Sequence, residues 1–198
     1  SNHAGAFLVS RLPLRGEGKG SGGGPGVPAS FTAQGLDYSV ERRGGKLIHR
    51  EVRKDADGRV VAENEAEARY ALGSGEQAVA YLLDRGGGYL FESPITWYSR
   101  KNKWDLSPGY ERDNIHFERF AHPVCLFCHS NRVEHVEGTE NRYREPVFHG
   151  HAIGCERCHG PGELHARRPE VAPGEAPNIV NPADLEPSLR EAVCQQCH

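Results

Sequence analysis

No methionine occurs anywhere in these 198 residues, so the chain has no thioether sulfur to offer a metal. Long apolar runs are missing as well. No eighteen consecutive apolar residues occur, which excludes a membrane-spanning helix. Aromatic residues make up only 8% of the chain and apolar residues 37%, low values for a protein that builds its core from its own side chains. Basic clusters interleaved with aromatics are absent, and Arg42-Arg43 and Arg167-Arg168 read as solvated loop charges, so nucleic acid is not an expected partner. A glycine-rich stretch from Arg15 to Pro28 fails as a phosphate cradle, because Gly18-Lys19-Gly20 lacks the Lys-Ser/Thr step; it reads as a flexible loop.

What the chain does have is one five-residue pattern written three times. Cys125-Leu126-Phe127-Cys128-His129, Cys155-Glu156-Arg157-Cys158-His159 and Cys194-Gln195-Gln196-Cys197-His198 each read C-x-x-C-H, and together they use all six cysteines. This is the attachment signature of a c-type haem. Two thiols three positions apart can bond the two vinyl groups of one porphyrin, and the histidine that follows is placed to ligate the iron. Structural zinc is the first competitor, since Cys125/Cys128 and Cys155/Cys158 could supply four thiolates. It does not require a histidine after each pair, and it strands the third pair. A disulfide framework suits small secreted chains, but bridges within C-x-x-C close only trivial loops. A thioredoxin-like pair needs one such motif, not three. Three covalent haems are therefore expected, with Cys125, Cys128, Cys155, Cys158, Cys194 and Cys197 as attachment sites and His129, His159 and His198 as proximal iron ligands.

Without methionine, histidine is the remaining common partner for the sixth position of each iron. Of eleven histidines, eight lie outside the proximal positions: His3, His49, His116, His122, His135, His149, His151 and His165. Bis-histidine ligation gives low-potential, six-coordinate haems, suited to electron passage and poor at binding small substrates. The porphyrins also offset the apolar deficit, because each is a large plate on which side chains pack. The haem-free chain is accordingly expected to be largely unfolded in its second half. Its formal charge is −3, and ionised propionates would add about six negative charges. Cationic or mixed-charge redox proteins are the expected partners. The chain shows neither a signal peptide nor an initiator methionine; a chain boundary explains that, and so does a mature, exported protein. Export to the periplasm or the cell exterior is the expectation.

The first half reads as β-structure. Phe7-Leu8-Val9 is a short apolar run. Leu36, Tyr38 and Val40 alternate up to Gly44-Gly45, and Leu47-Ile48 and Val52 follow it, which predicts a hairpin. Asp55-Ala56-Asp57-Gly58 turns the chain into a third strand at Val60-Val61. Another hairpin is predicted between 78 and 98, turning at Gly86-Gly87-Gly88. His49 falls in a strand and reads as a surface or packing residue, and Glu63, Glu65 and Glu67 as a solvated edge. From about Ile115 the loops are irregular, with prolines at 161, 169, 173, 177 and 182. Only 187–193 reads as helix, with Pro187 in its first turn. The expected fold is α+β or irregular: a β-hairpin-rich region over 1–114 with an N-terminal arm, and a trihaem-binding region over 115–198 whose short helices are organised around stacked haems.

The segment Ala152-Ile153-Gly154-Cys155-Glu156-Arg157-Cys158-His159-Gly160-Pro161-Gly162-Glu163-Leu164-His165 resembles the haem region of bacterial multihaem cytochromes c, akin to the tetrahaem cytochrome that accepts electrons in ammonia oxidisers. Ile179-Val180-Asn181-Pro182 leading to the third motif, Gly73-Ser74-Gly75 through Tyr81-Leu82, and Ser107-Pro108-Gly109-Tyr110 fit the same group. The resemblance implies that the histidine after the Gly-Pro-Gly turn, His165, caps a neighbouring haem. It makes His149 or His151 the next candidate, with His149 preferred, and His3 the third. His122, His116 and His135 complete the set of candidate distal ligands. Relatives usually carry a further C-x-x-C-H upstream, and this sequence begins after that point, so it reads as part of a larger cytochrome or as a trihaem form. In a trihaem form, the arm bearing His3 could cap a haem of the next copy, a head-to-tail contact that propagates into a filament. The leading function is electron transfer. The alternatives are a multihaem oxidoreductase acting on small nitrogen or sulfur species at an open iron, and a haem-stapled structural or sensor module.

Overall fold

The structure, a computed structural model, describes residues 9–11, 26–73, 75–150, 153–168 and 178–197. Among them ten strands form: β1 (Val9–Arg11), β2 (Ala29–Ala33), β3 (Leu36–Arg43), β4 (Lys46–Lys54), β5 (Val60–Leu72), β6 (Ala80–Asp84), β7 (Leu90–Glu92), β8 (Ile95–Tyr98), β9 (Lys103–Leu106) and β10 (Arg119–Phe120). Eight make one antiparallel sheet in the order β10-β7-β6-β5-β4-β3-β2, with β1 also paired to β5. Strands β8 and β9 form a separate two-stranded ribbon. The meander β3-β4-β5 turns at Gly44-Gly45 and at 55–58, and β6 returns through Gly86-Gly87-Gly88 to β7.

The two faces of this sheet bury different clusters, because side chains alternate along a strand. Leu36, Tyr38 and Val40 of β3, Leu47 of β4, Ala66 and Ala68 of β5, and Tyr81 and Leu83 of β6 share one core with the ribbon's Ile95, Trp97, Trp104 and Leu106. Tyr70, Leu82 and Leu90 face the second core, with Ala121, Leu126, Tyr143 and Val147. A register shift between Ala68 and Tyr70 makes this division workable. Strict alternation would put Tyr70 on the face of Ala66 and Ala68; the irregularity reverses the parity, so Tyr70 enters the second core while Ala71 stays in the first. The glutamates of β5 are paired across the strands: Lys46 with Glu67 at 2.7 Å, Arg50 with Glu63 at 2.6 Å and Arg43 with Glu65 at 2.9 Å.

Among the described residues four helices follow the last strand: α1 (Pro123–His129), α2 (Glu156–His159), α3 (Glu163–Arg167) and α4 (Pro187–Gln195). Of all their described residues, only Leu126 is buried. The expected fold is corrected accordingly. The protein is mostly β-sheet with a few short helices, not an α+β arrangement whose helices are organised around stacked haems. The sequence expectation gave weight to the cysteine motifs and too little to the strands at 29–33, 95–98 and 103–106, which complete the first core.

The sheet meets the motif-bearing part along a narrow seam beside β7. Leu90 N donates to Asn141 O at 3.0 Å, Asn141 Nδ2 to Leu90 O at 2.6 Å, and Tyr143 N to Gly88 O at 2.9 Å. Gly88 has φ +82, and a Cβ there would sit 1.8 Å from Tyr143 O. Gly87, with φ +60, has open space around it. Gly88→Ala is expected to cost roughly 3 kcal/mol or more, strain and backbone collision together. Gly87→Ala should cost about 1 kcal/mol, from the left-handed backbone alone. Urea unfolding of the two variants checks this, and equal destabilisation would contradict the seam.

Candidate functional site

The first motif lies on α1. Pro123 opens this helix, where its missing N–H costs little, and Ser130 ends it in extended backbone. Cys125, Cys128 and His129 are spaced i, i+3 and i+4, so they share one face. Leu126, the buried residue of this helix, anchors it in the second core. Burial lowers the His129 pKa and so favours the neutral imidazole that a metal takes. Burial also pushes the Cys128 thiol up, and a hydrogen bond with Cys197 adds to that.

The second motif makes a single helical turn. Cys158 N and His159 N both donate to Cys155 O, at 3.1 and 2.9 Å, and Gly160, at φ +72, ends the turn. Its histidine is held at both ends. Val180 N donates to His159 O at 3.1 Å, and His159 Nδ1 lies 2.8 Å from Val180 O. A carbonyl can only accept, so Nδ1 carries a hydrogen, and in the neutral tautomer this selects, Nε2 holds the lone pair. The turn at 160–162 is fixed by Gly162 N donating to Glu156 Oε1 at 2.7 Å, and α3 with His165 follows directly.

In the third motif, Cys194 is on α4 and Cys197 in the turn after it, with Cys197 N donating to Cys194 O at 3.3 Å. His198 lies outside the described residues, as do His3 and His151. The other candidate ligands are spread out. His116, at φ +58, pairs through Nδ1 with the buried Glu51 of β4. His122 stands 3.7 Å from Glu140, and His149 Nε2 stands 3.6 Å from Glu134. The His135 ring packs on Tyr143 at 5.6 Å. His49 is fully buried, with Nδ1 2.7 Å from Ser93 Oγ.

These residues suit covalent haem in three respects. All six cysteines are free thiols. At least one histidine behind a pair presents Nε2. From residue 149 onward no described residue is buried, while Val124, Phe127, Leu164, Val180 and Leu189 hold apolar surface outward. Residues 98–160 match the family model of cytochrome c554 and c-prime. This stretch is about a third of the chain and takes in the first two motifs. The match supports a cytochrome c family, with c-type haem iron and electron transfer as its chemistry. No curated protein and no solved structure matches the chain.

Some residues that shape the site carry no sequence signal. Asn131 takes Gly154 N on Oδ1 at 2.9 Å and donates from Nδ2 to His149 O at 3.1 Å, tying the approach to the second motif to the end of the first. A Cβ on Gly154 would lie 2.8 Å from Asn131 Oδ1, so a side chain there would push the Asn131 amide off this bond. The Gly-Cys step at 154–155 could have hinted at this; nothing flags Asn131.

Proposed function

We propose that this chain is an electron-transfer cytochrome carrying three c-type haems, bonded at Cys125/Cys128, Cys155/Cys158 and Cys194/Cys197, with His129, His159 and His198 on the irons. The observation that carries this reading is the His159 imidazole, set one residue after a free cysteine pair with its Nδ1 hydrogen on the Val180 carbonyl at 2.8 Å. That bond orients the ring and fixes the tautomer, as a carbonyl does behind many metal-binding histidines. A bound c-type haem supplies one-electron chemistry at its iron. The chain's part is to hold the iron from one side through histidine, to cover the porphyrin with the outward apolar side chains of α1, α3 and α4, and to cap the other side with a second histidine. His165 leads for that role, as the family resemblance implies, on the helix that follows the 160–162 turn directly. His149 and His3 come next, and His151, His122, His116 and His135 follow.

The proposed setting is outside the cytoplasm, where c-type cytochromes typically work. Among the described residues no helix is long and apolar enough to cross a membrane. Redox proteins are the proposed partners, and head-to-tail association through His3 is a further part of the reading that a monodisperse monomer with three six-coordinate irons would remove. The central test is the intact mass and iron content of the purified protein. Three haem masses and three irons per chain are expected. A bare polypeptide, or zinc in place of iron, would end the proposal.

A further inference from the structure

Three residues that the motif leaves free to vary join the three motifs to one another. Arg157, from the second motif, lays its guanidinium over the ring of Phe127 in the first at 4.0 Å and donates from Nη2 to Phe127 O at 2.8 Å. Gln196, from the third, donates from Nε2 to Arg157 O at 2.9 Å and to Val193 O at 2.7 Å. Cys128 Sγ lies 3.7 Å from Gln196 O, one residue ahead of Cys197. Arg157 Nε is buried without a hydrogen-bond partner. An arginine held only by loose surface contacts would keep that group in water, since burying it unpaired is costly. Its burial indicates that the joint closes firmly around it. Stacking and donating at once requires a planar, forked cation, which lysine does not provide.

We propose that Arg157 and Gln196 are positioning residues that set the first and third motifs side by side, Cys128 against the Gln196-Cys197 step, so that the groups these two motifs carry exchange electrons directly and out of chain order. The inference rests on the three-haem reading above. The second motif, through Arg157, acts as the clasp between the other two. Electron exchange falls steeply with separation, so the pair of motifs that adjoin at Cys128 and Gln196 dominates the traffic between motifs. The guanidinium also favours the less positive, reduced state of the irons nearest it.

The test uses the full haem-loaded protein, with mass spectrometry counting haems in every variant and split Soret circular dichroism reporting neighbouring pairs. Serine at Cys194 and Cys197 is expected to abolish the splitting that involves the first haem. Arg157→Gln and Gln196→Ala, with three haems still attached, should weaken it. Arg157→Gln should in addition shift the reduction equilibrium of at least one haem about tenfold toward the oxidised form, which is about 59 mV for one electron. Arg157→Lys should keep the potential and lose part of the splitting. Splitting that survives both single substitutions unchanged, or that vanishes with the second cysteine pair and not the third, overturns the inference. A wild-type chain without haem would sink the underlying reading instead.

Discussion

With serine at all six cysteines, the chain is expected to keep its sheet and to lose its structure from residue 149 onward. Residues 26–148 hold both apolar cores, and the second core reaches through Leu126 and Tyr143 to Val147. Beyond that point no described residue is buried. The helices there have four, five and nine residues, below the roughly 12–15 at which an isolated helix becomes even marginal in water. Ordering a residue costs about 1–2 kcal/mol of backbone entropy, and among the described residues of this segment none is buried to offset it. Hydrogen exchange read by mass spectrometry should therefore show full protection in β3 to β7 and almost none at 156–167 and 187–195, whereas the haem-loaded protein should protect both. Equal protection of 187–195 in the two proteins would show that this segment does not depend on the porphyrins. The sequence alone predicts a second half largely unfolded without haem; the packing of Leu126, Tyr143 and Val147 places the expected boundary at about residue 149.

The second large effect concerns His49 and acid. Its ring is fully buried against Tyr81 and Trp104, with centroids 4.8 and 6.0 Å away, and burial pushes its pKa from 6.5 down to about 3. An unfolded chain protonates this ring below its ordinary pKa, and the folded chain does not until the pH nears 3. The stability is thus whole above about pH 6.5 and falls as the pH drops toward 3. Within that window each pH unit costs about 1.4 kcal/mol, so by about pH 4.5 the loss is on the order of 2–3 kcal/mol. His49→Gln does not titrate, and its amide can keep a hydrogen bond to Ser93 Oγ. Urea midpoints of the two proteins at pH 7 and about pH 4.5 should diverge only in acid, with the variant losing less. Identical acid slopes would show that another group sets them.

The turns were the legible part of the fold. Gly44-Gly45, the aspartates before Gly58 and the three glycines at 86–88 announce hairpins because their backbone conformations exclude most side chains, and each hairpin is present. Strands β2, β8 and β9 were not legible, since ASFTA, ITWY and KWDL are too short to show a period. The parity change at Ala68/Tyr70 could not be read either, because an irregularity of one residue leaves the composition untouched. At the site, the cysteines and their histidines were legible because covalent chemistry fixes their spacing. Arg157, Gln196 and Asn131 were not, because their roles come from tertiary contacts between segments that are distant in sequence.

The seam beside β7 has a mechanical consequence. Gly88, Leu90, Asn141 and Tyr143 are cross-bonded over a few residues, Ala121 N donates to Leu90 O at 3.1 Å, and Tyr143 Oη donates to Ala121 O at 2.6 Å, just ahead of α1. A riveted mount of this kind leaves the first cysteine pair no hinge of its own. It travels with the sheet as one body, so a protein that grips the outer strands also aims that pair.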